Sequence, residues 1–427
     1  MRLSIALVAA AVLTGGGGGG SGMGSSAQTP VAPPGGTSGT APTSSVPSAV
    51  AAARSADTPV DPNIVAADNE FAFALFNVLN QQASGNVAIS PLSIALALQI
   101  TYNGAAGTTQ QAMAATLGLQ SLSLEQVNND NAALQAALLN PDSEVQLNLA
   151  NSLWMHLSDN PVLASFTQAN ETYYGAQVGD LAGAPSNVNA WVSTQTHGLI
   201  TDILPPANYA LADAVIVNTI YFKGVWSSPF NANQTASATF TQADGTQTSC
   251  EMMHQTATFD YFQGAGFQAL RLPYGQSGRL SMYIVLPSAG TDLGTFVAGI
   301  TAAGLDGWIS KLQPATGNVS LPRFSASYGS SLVGALTSLG MGVAFTKGEA
   351  DFSDIAPRTY ISDVEHKTVV EVDESGTVAA GATSVTVTTA IVSGPLPFTM
   401  TMDHPFFYAI RDDQTGTLLF IGTMVDP

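Results

Sequence analysis

Residues Gly376–Gly394 read GTVAAGATSVTVTTAIVSG and lie within a longer stretch, from Glu374 to Asp403, that has no charge between its ends. The first half is small and flexible. The second half alternates: Thr383, Val385, Val387 and Thr389 share one face, and Ser384, Thr386, Thr388 and Ala390 the other. An uncharged, β-prone run is an aggregation hazard when it lies exposed at an edge. Two readings stand. The segment is an ordinary interior strand, or it is a loop built to become one.

Outward from this stretch the chain is strand-like on both sides. Leu280–Leu286, Val319–Phe324, Lys367–Val372, Phe406–Ile410 and Leu418–Met424 are β-forming runs. Asp213–Phe222 (DAVIVNTIYF) is almost continuously apolar, as expected of a strand buried on both faces. Further upstream, Val145, Leu147 and Leu149 alternate with polar neighbours. Before them the pattern is helical: Phe71, Phe73, Leu75, Phe76, Val78 and Leu79 lie in one apolar segment. Ser90-Pro91 reads as an N-cap followed by proline at the first helical position, leading into Leu92–Tyr102. Thr108 with Gln111 reads as a capping box for a helix that Gly118 ends. Helices gathered early and strands gathered late predict an α+β fold.

Composition narrows the function. Of 427 residues only 10% are charged, against roughly 25% in an average globular chain. The net charge is −19, and no Lys or Arg occurs between Arg54 and Lys223. A polyanion partner needs clustered cations to displace its counterions, so nucleic acid and heparin-like sugars are not expected. The single cysteine, Cys250, excludes an intrachain disulfide and reads as a small buried hydrophobe.

The amino-terminal stretch carries a basic start at Arg2 and an apolar run from Leu3 to Leu13, too short to span a bilayer. Residues 1–14 are read as a signal peptide, and export to the cell envelope or medium is expected. Gly16 stands where a lipoprotein would carry its lipidated Cys. Residues 15–60, rich in Gly, Ser, Pro, Thr and Ala, are read as a flexible tether. Residues 61–427 form the globular part.

No enzyme motif emerges. There is no phosphate-binding GxxxxGK[ST], no HExxH and no GxSxG. His156, His197, His254, His366 and His404 lack metal-ligand spacing, so neither metal nor cofactor is expected.

Several ordered stretches resemble the serpin family from about residue 64 to the end. They include NVAISPLSIALALQITYNGAAGTT (Asn86–Thr109), VNTIYFKGVWSSPF (Val217–Phe230) and LPYGQSGRLSMYIVLP (Leu272–Pro287). VSLPRFSASYGSSLVGALTSLGMGVAFT (Val319–Thr346), ADFSDI, SDVEHKTVVEVDESGTVAAGAT (Ser362–Thr383) and the closing DHPFFYAI and LLFIGTMVDP follow in family order.

That resemblance implies three β-sheets, about nine helices and an exposed reactive loop, here about residues 374–402, on a metastable native state. It implies an irreversible suicide-substrate inhibitor of serine proteases, not an enzyme. A protease attacks the loop, forms its acyl-enzyme, and is trapped when the cut loop inserts as a new strand; serpin loop insertion is a recognised mode of strand addition. The hinge is Glu374, Gly376, Thr377, Val378, Ala379, Ala380, Gly381 and Ala382, whose small uncharged side chains suit entry between strands. Counting from Glu374 places the reactive bond at Ala390–Ile391, which suits an elastase-like or subtilisin-like protease. The loop is about four residues longer than in typical animal members, and the extra length is assigned to Val392–Thr401. Ser90, Ser93, Asn218 and His366 match the family's structural shutter beneath the main sheet, and Trp226 its breach, where insertion begins. A monomer that meets its protease covalently is expected, without heparin activation, since Ser121–Leu139 carries no Lys or Arg. The alternative is a non-inhibitory serpin serving as a binding or chaperone module.

Overall fold

The Asp61 carboxylate accepts the Asn63 backbone N–H at 2.8 Å and starts the first helix, α1 (Pro62–Gln82), whose apolar stripe includes Phe71, Phe73, Leu75, Phe76 and Leu79. This is a computed structural model, which describes residues 59–139, 141–207, 209–377 and 398–427. Helix α2 (Pro91–Tyr102) is buried along its whole length, the expected state of a helix that is apolar all round. Seven more α-helices follow among the described residues. They are α3 (Gly107–Thr116), α4 (Leu124–Leu138), α5 (Ala164–Tyr173), α6 (Ser186–Gln195), α7 (Leu293–Ala298), α8 (Ala302–Ile309) and α9 (Val333–Leu336).

Two local readings are corrected. Ala106, not Thr108, caps α3, and no side chain closes the turn. Tertiary contacts replace the local cap: the Ala106 N–H donates to the Asp351 carbonyl, and the Thr109 hydroxyl accepts from the Asp351 N–H. The capping box lies instead at Ser123 and Gln126, at the start of α4. The second correction concerns Val319–Phe324, which is divided between two strands at Arg323.

Strands β1 (Val87–Ile89), β5 (Ala236–Thr241), β6 (Gln247–Gly264), β7 (Phe267–Pro273), β8 (Leu280–Pro287), β9 (Gln313–Pro322), β13 (Phe398–Thr401), β14 (Phe406–Asp412) and β15 (Leu418–Met424) form one hydrogen-bonded surface. Its order is β1-β15-β14-β8-β7-β6-β9-β13, with β5 also on β6. The long β6 joins what the resemblance divides into two sheets. The main sheet holds β2 (Val145–Met155), β3 (Gln177–Asp180), β4 (Ala214–Val225), β10 (Phe324–Ser331), β11 (Ile361–Val372) and β12 (Gly376–Thr377), ordered β10-β11-β12-β4-β2-β3. Its back face closes on α2 and the large core. Its front face packs Trp154, Val215 and Val217 under Val188 and Val192 of α6.

Candidate functional site

The seam between β4 and β11 defines the site. From Ile361/Ala214 to Lys367/Thr219 the two strands pair directly and in parallel. Beyond that they part, and Gly376–Thr377 stands between them, antiparallel to both: Gly376 faces Val225, and Thr377 faces Gly224 on one side and Val372 on the other. Two residues of the expected loop are thus already a strand. The remaining hinge residues Val378, Ala379, Ala380, Gly381 and Ala382, and the bond Ala390–Ile391, lie outside the described residues.

A tight turn delivers the hinge. The Asp373 carboxylate accepts the N–H of Ser375 at 2.8 Å, the Ser375 hydroxyl at 2.9 Å and the N–H of Gly376 at 3.2 Å, the local bonding that Asp favours in turns. The Trp226 N–H donates to the Ser375 carbonyl, the Phe230 N–H to the Glu374 carbonyl, and the Trp226 indole to the Asp373 carbonyl. A methyl group on Gly376 would collide with the Gly224 carbonyl oxygen, so only glycine fits there.

Glu374 anchors the turn. Arg323 Nε donates to both carboxylate oxygens at 2.9 and 2.8 Å, and Thr235 adds a hydroxyl. Burial works against the charge, but these donors outweigh it and hold the carboxyl below its ordinary range. Two residues on, the buried Thr377 hydroxyl meets the Tyr274 hydroxyl at 2.6 Å. Trp226 stacks on the Tyr274 ring, with centroids 4.4 Å apart.

Lower on the seam the shutter residues come together, and they are all buried. The Ser90 N–H donates to His366 Nε2 at 3.3 Å, so that nitrogen is the acceptor and Nδ1 carries the proton. Nδ1 donates to Asn218 Oδ1 at 2.6 Å. The Asn218 amide then donates to Ser93 Oγ and Asn151 Oδ1, both at 2.5 Å. Complete burial drives the His366 pKa down to about 3, so the ring is neutral. Ser90 caps α2 by position only: among the described residues its hydroxyl has no hydrogen-bond partner, and its N–H is what meets His366.

Sequence reasoning missed five contributors: Asn151, Gly224, Thr235, Tyr274 and Arg323. Asn151 lies directly opposite Asn218 in the β2–β4 register, a signal visible only once those strands are paired. Gly224 stands in the quoted FKG, where its missing side chain was the available clue. Among the described residues no group of three His, Cys, Asp or Glu could hold a metal ion, and no helix is long and apolar enough to cross a membrane.

The profile of the serpin (serine protease inhibitor) family matches residues 66–427. The chain belongs to the serpins. An uncharacterized serpin-like protein of Thermococcus kodakarensis is 36% identical over 381 residues, covering 85% of this chain and 86% of that protein. The leukocyte elastase inhibitor of Equus caballus is 33% identical over 379 residues, covering 84% and 98%. The native-state structure of tengpin, a thermophilic serpin, superposes with a TM-score of 0.80 at 29% identity, covering 87% of this serpin and 96% of tengpin.

Proposed function

We propose that this serpin is an irreversible inhibitor of serine proteases of elastase-like or subtilisin-like specificity. A protease serine attacks the Ala390 carbonyl carbon, the bond to the Ile391 nitrogen breaks, and Ile391 leaves as a free amine while Ala390 stays esterified to the enzyme. The freed strand then enters the seam, and the distorted protease cannot complete deacylation.

The observation that carries this reading is the phase of the hinge. Gly376–Thr377 holds one register against β4 and another against β11. Continued, both registers bring the same residue, Thr383, between Asn218 and His366, which are now direct partners across the seam. No slip is needed on either side. Thr377, Ala379, Gly381, Thr383, Val385 and Val387 would then face the core, and Ser384, Thr386 and Thr388 the front. A strand from Thr377 to Ala390 spans about 46 Å, enough to carry a protease from one end of the sheet towards the other.

The small Ala390 supports a protease with a shallow pocket, and a relative named as a leukocyte elastase inhibitor agrees with that choice. The absence of Lys and Arg from α4 and the −19 net charge support action without heparin. The leader at Arg2 and Leu3–Leu13 supports export. Incubation with pancreatic elastase is expected to give a denaturant-resistant adduct, with cleavage at Ala390–Ile391 or within about two residues by mass spectrometry. Cleaved product without adduct would reject the inhibitor reading. A cut before Ala382 or beyond Gly394 would reject the loop assignment.

A further inference from the structure

The back face of β4 carries Phe222 and Gly224, and Trp226 follows just past its end, so two large rings flank a residue with no side chain. The Tyr274 ring fills the notch: it stacks on Trp226 at 4.4 Å and 14°, and meets Phe222 edge-on at 5.1 Å and 76°. A methyl group on Gly224 would come within 2.8 Å of Tyr274 Cδ1, so the notch exists only because residue 224 is glycine. Tyr274 is 0% exposed, and among the described residues its hydroxyl has one partner, Thr377 Oγ1, at 2.6 Å. Without Thr377 in place, a buried phenol would lack a hydrogen bond.

We propose that Tyr274 is a positioning residue: its fixed hydroxyl holds Thr377 in the sheet before any protease arrives, so insertion propagates from a rung already made. This rests on the inhibitor reading above and adds to it the residue that sets the outcome after cleavage. An acyl-enzyme is either trapped by insertion or hydrolysed by water. A hinge already engaged spares the loop the costly step of forming the first rung, and biases the race towards trapping. The contact uses the threonine hydroxyl, so it distinguishes threonine from valine at a position where both would pack.

Tyr274→Phe removes the hydroxyl and keeps the ring. Loss of one such bond is expected to shift the engaged hinge by about fivefold. The number of inhibitor molecules consumed per protease trapped should rise by a similar factor, while the initial rate of loop cleavage stays unchanged. Thr377→Val should reproduce the effect, Thr377→Ser should not, and the double variant Tyr274→Phe/Thr377→Val should be no worse than either single one. A second measurement needs no protease: amide hydrogen exchange at Gly376 and Thr377 should quicken about fivefold in Tyr274→Phe. Unchanged exchange together with an unchanged consumption ratio would overturn the proposal, as would additive effects in the double variant. If wild type forms no adduct with elastase or subtilisin, the inhibitor reading fails by itself, and the exchange measurement still decides whether Tyr274 holds the hinge.

Discussion

The two ends of the β4–β11 seam are built from different chemistry. At the hinge end the strands are already apart, and the contacts there are a partly exposed ion pair, Arg323–Glu374, and a hydroxyl pair, Thr377–Tyr274. At the shutter end the strands touch, and a neutral imidazole, an amide and a serine hydroxyl close them in full burial. In the proposed mechanism, insertion would keep the contacts of the first end and break the His366–Asn218 bond of the second. One end would then set whether a strand can start, and the other how much work its passage costs.

The largest expected effect breaks the hinge end. Thr377→Arg would place a guanidinium where the wild-type side chain is 1% exposed, with a desolvation penalty of several kcal/mol. A delay of about 3 kcal/mol slows insertion roughly 150-fold. The variant should be cleaved by elastase as a substrate with no adduct on a denaturing gel. An adduct at wild-type yield would show that the protein does not work by insertion.

Next in size is the shutter. Asn218→Ala leaves His366 Nδ1, Ser93 and Asn151 short of partners and should destabilise the uncut protein by about 2–4 kcal/mol. The cleaved form should lose less, because insertion would already have broken its His366–Asn218 bond. Melting both forms separates the two. Equal losses would remove the distinction between the ends.

The third effect is pH-dependent. In the unfolded chain His366 titrates near its ordinary 6.5, but in the fold near 3. Its neutral packing contributes fully above about pH 6.5 and is lost as pH falls from there towards 3, at about 1.4 kcal/mol per unit. Asp68 and Glu365, both pushed up to about 7 chiefly by burial, run the opposite way: their contribution is present below about pH 4 and lost as pH rises to 7. The histidine must therefore be read by difference. The stability gap between wild type and His366→Gln should narrow from pH 7 to pH 4 in denaturant titrations.

The smallest effect is at Arg323, whose side chain is 43% exposed. Arg323→Gln should cost about 1 kcal/mol or less, and less again at high salt. A loss as large as that of Asn218→Ala would make the hinge end the stronger lock.

Much of this fold was legible because its long elements repeat one signal. The almost continuous apolar run at Asp213–Phe222 pointed to a doubly buried strand, and α1 and α2 announced themselves by apolar spacing and Ser90-Pro91. Local chemistry misled where distant chain supplied the partner, as when Asp351 took over the start of α3. The shutter residues were legible only through family resemblance, since Ser90, Asn218 and His366 lie far apart in sequence. Tyr274 and Arg323 carried no local signal at all: their roles come from a notch on β4 and a carboxylate that meet them only in the folded chain.

From the last direct pair, Lys367 and Thr219, to the hinge rung at Val372 and Gly224, each strand advances five residues. The two arms of the opening are therefore of equal count, like matched rails. Losing or gaining one residue in either arm would leave the rails a half-period out of step. Every later side chain of an entering strand would then meet the wrong face on one side. Under the proposed loop assignment, the extra residues at Val392–Thr401 lie past the reactive bond, where added length would not alter what the sheet receives.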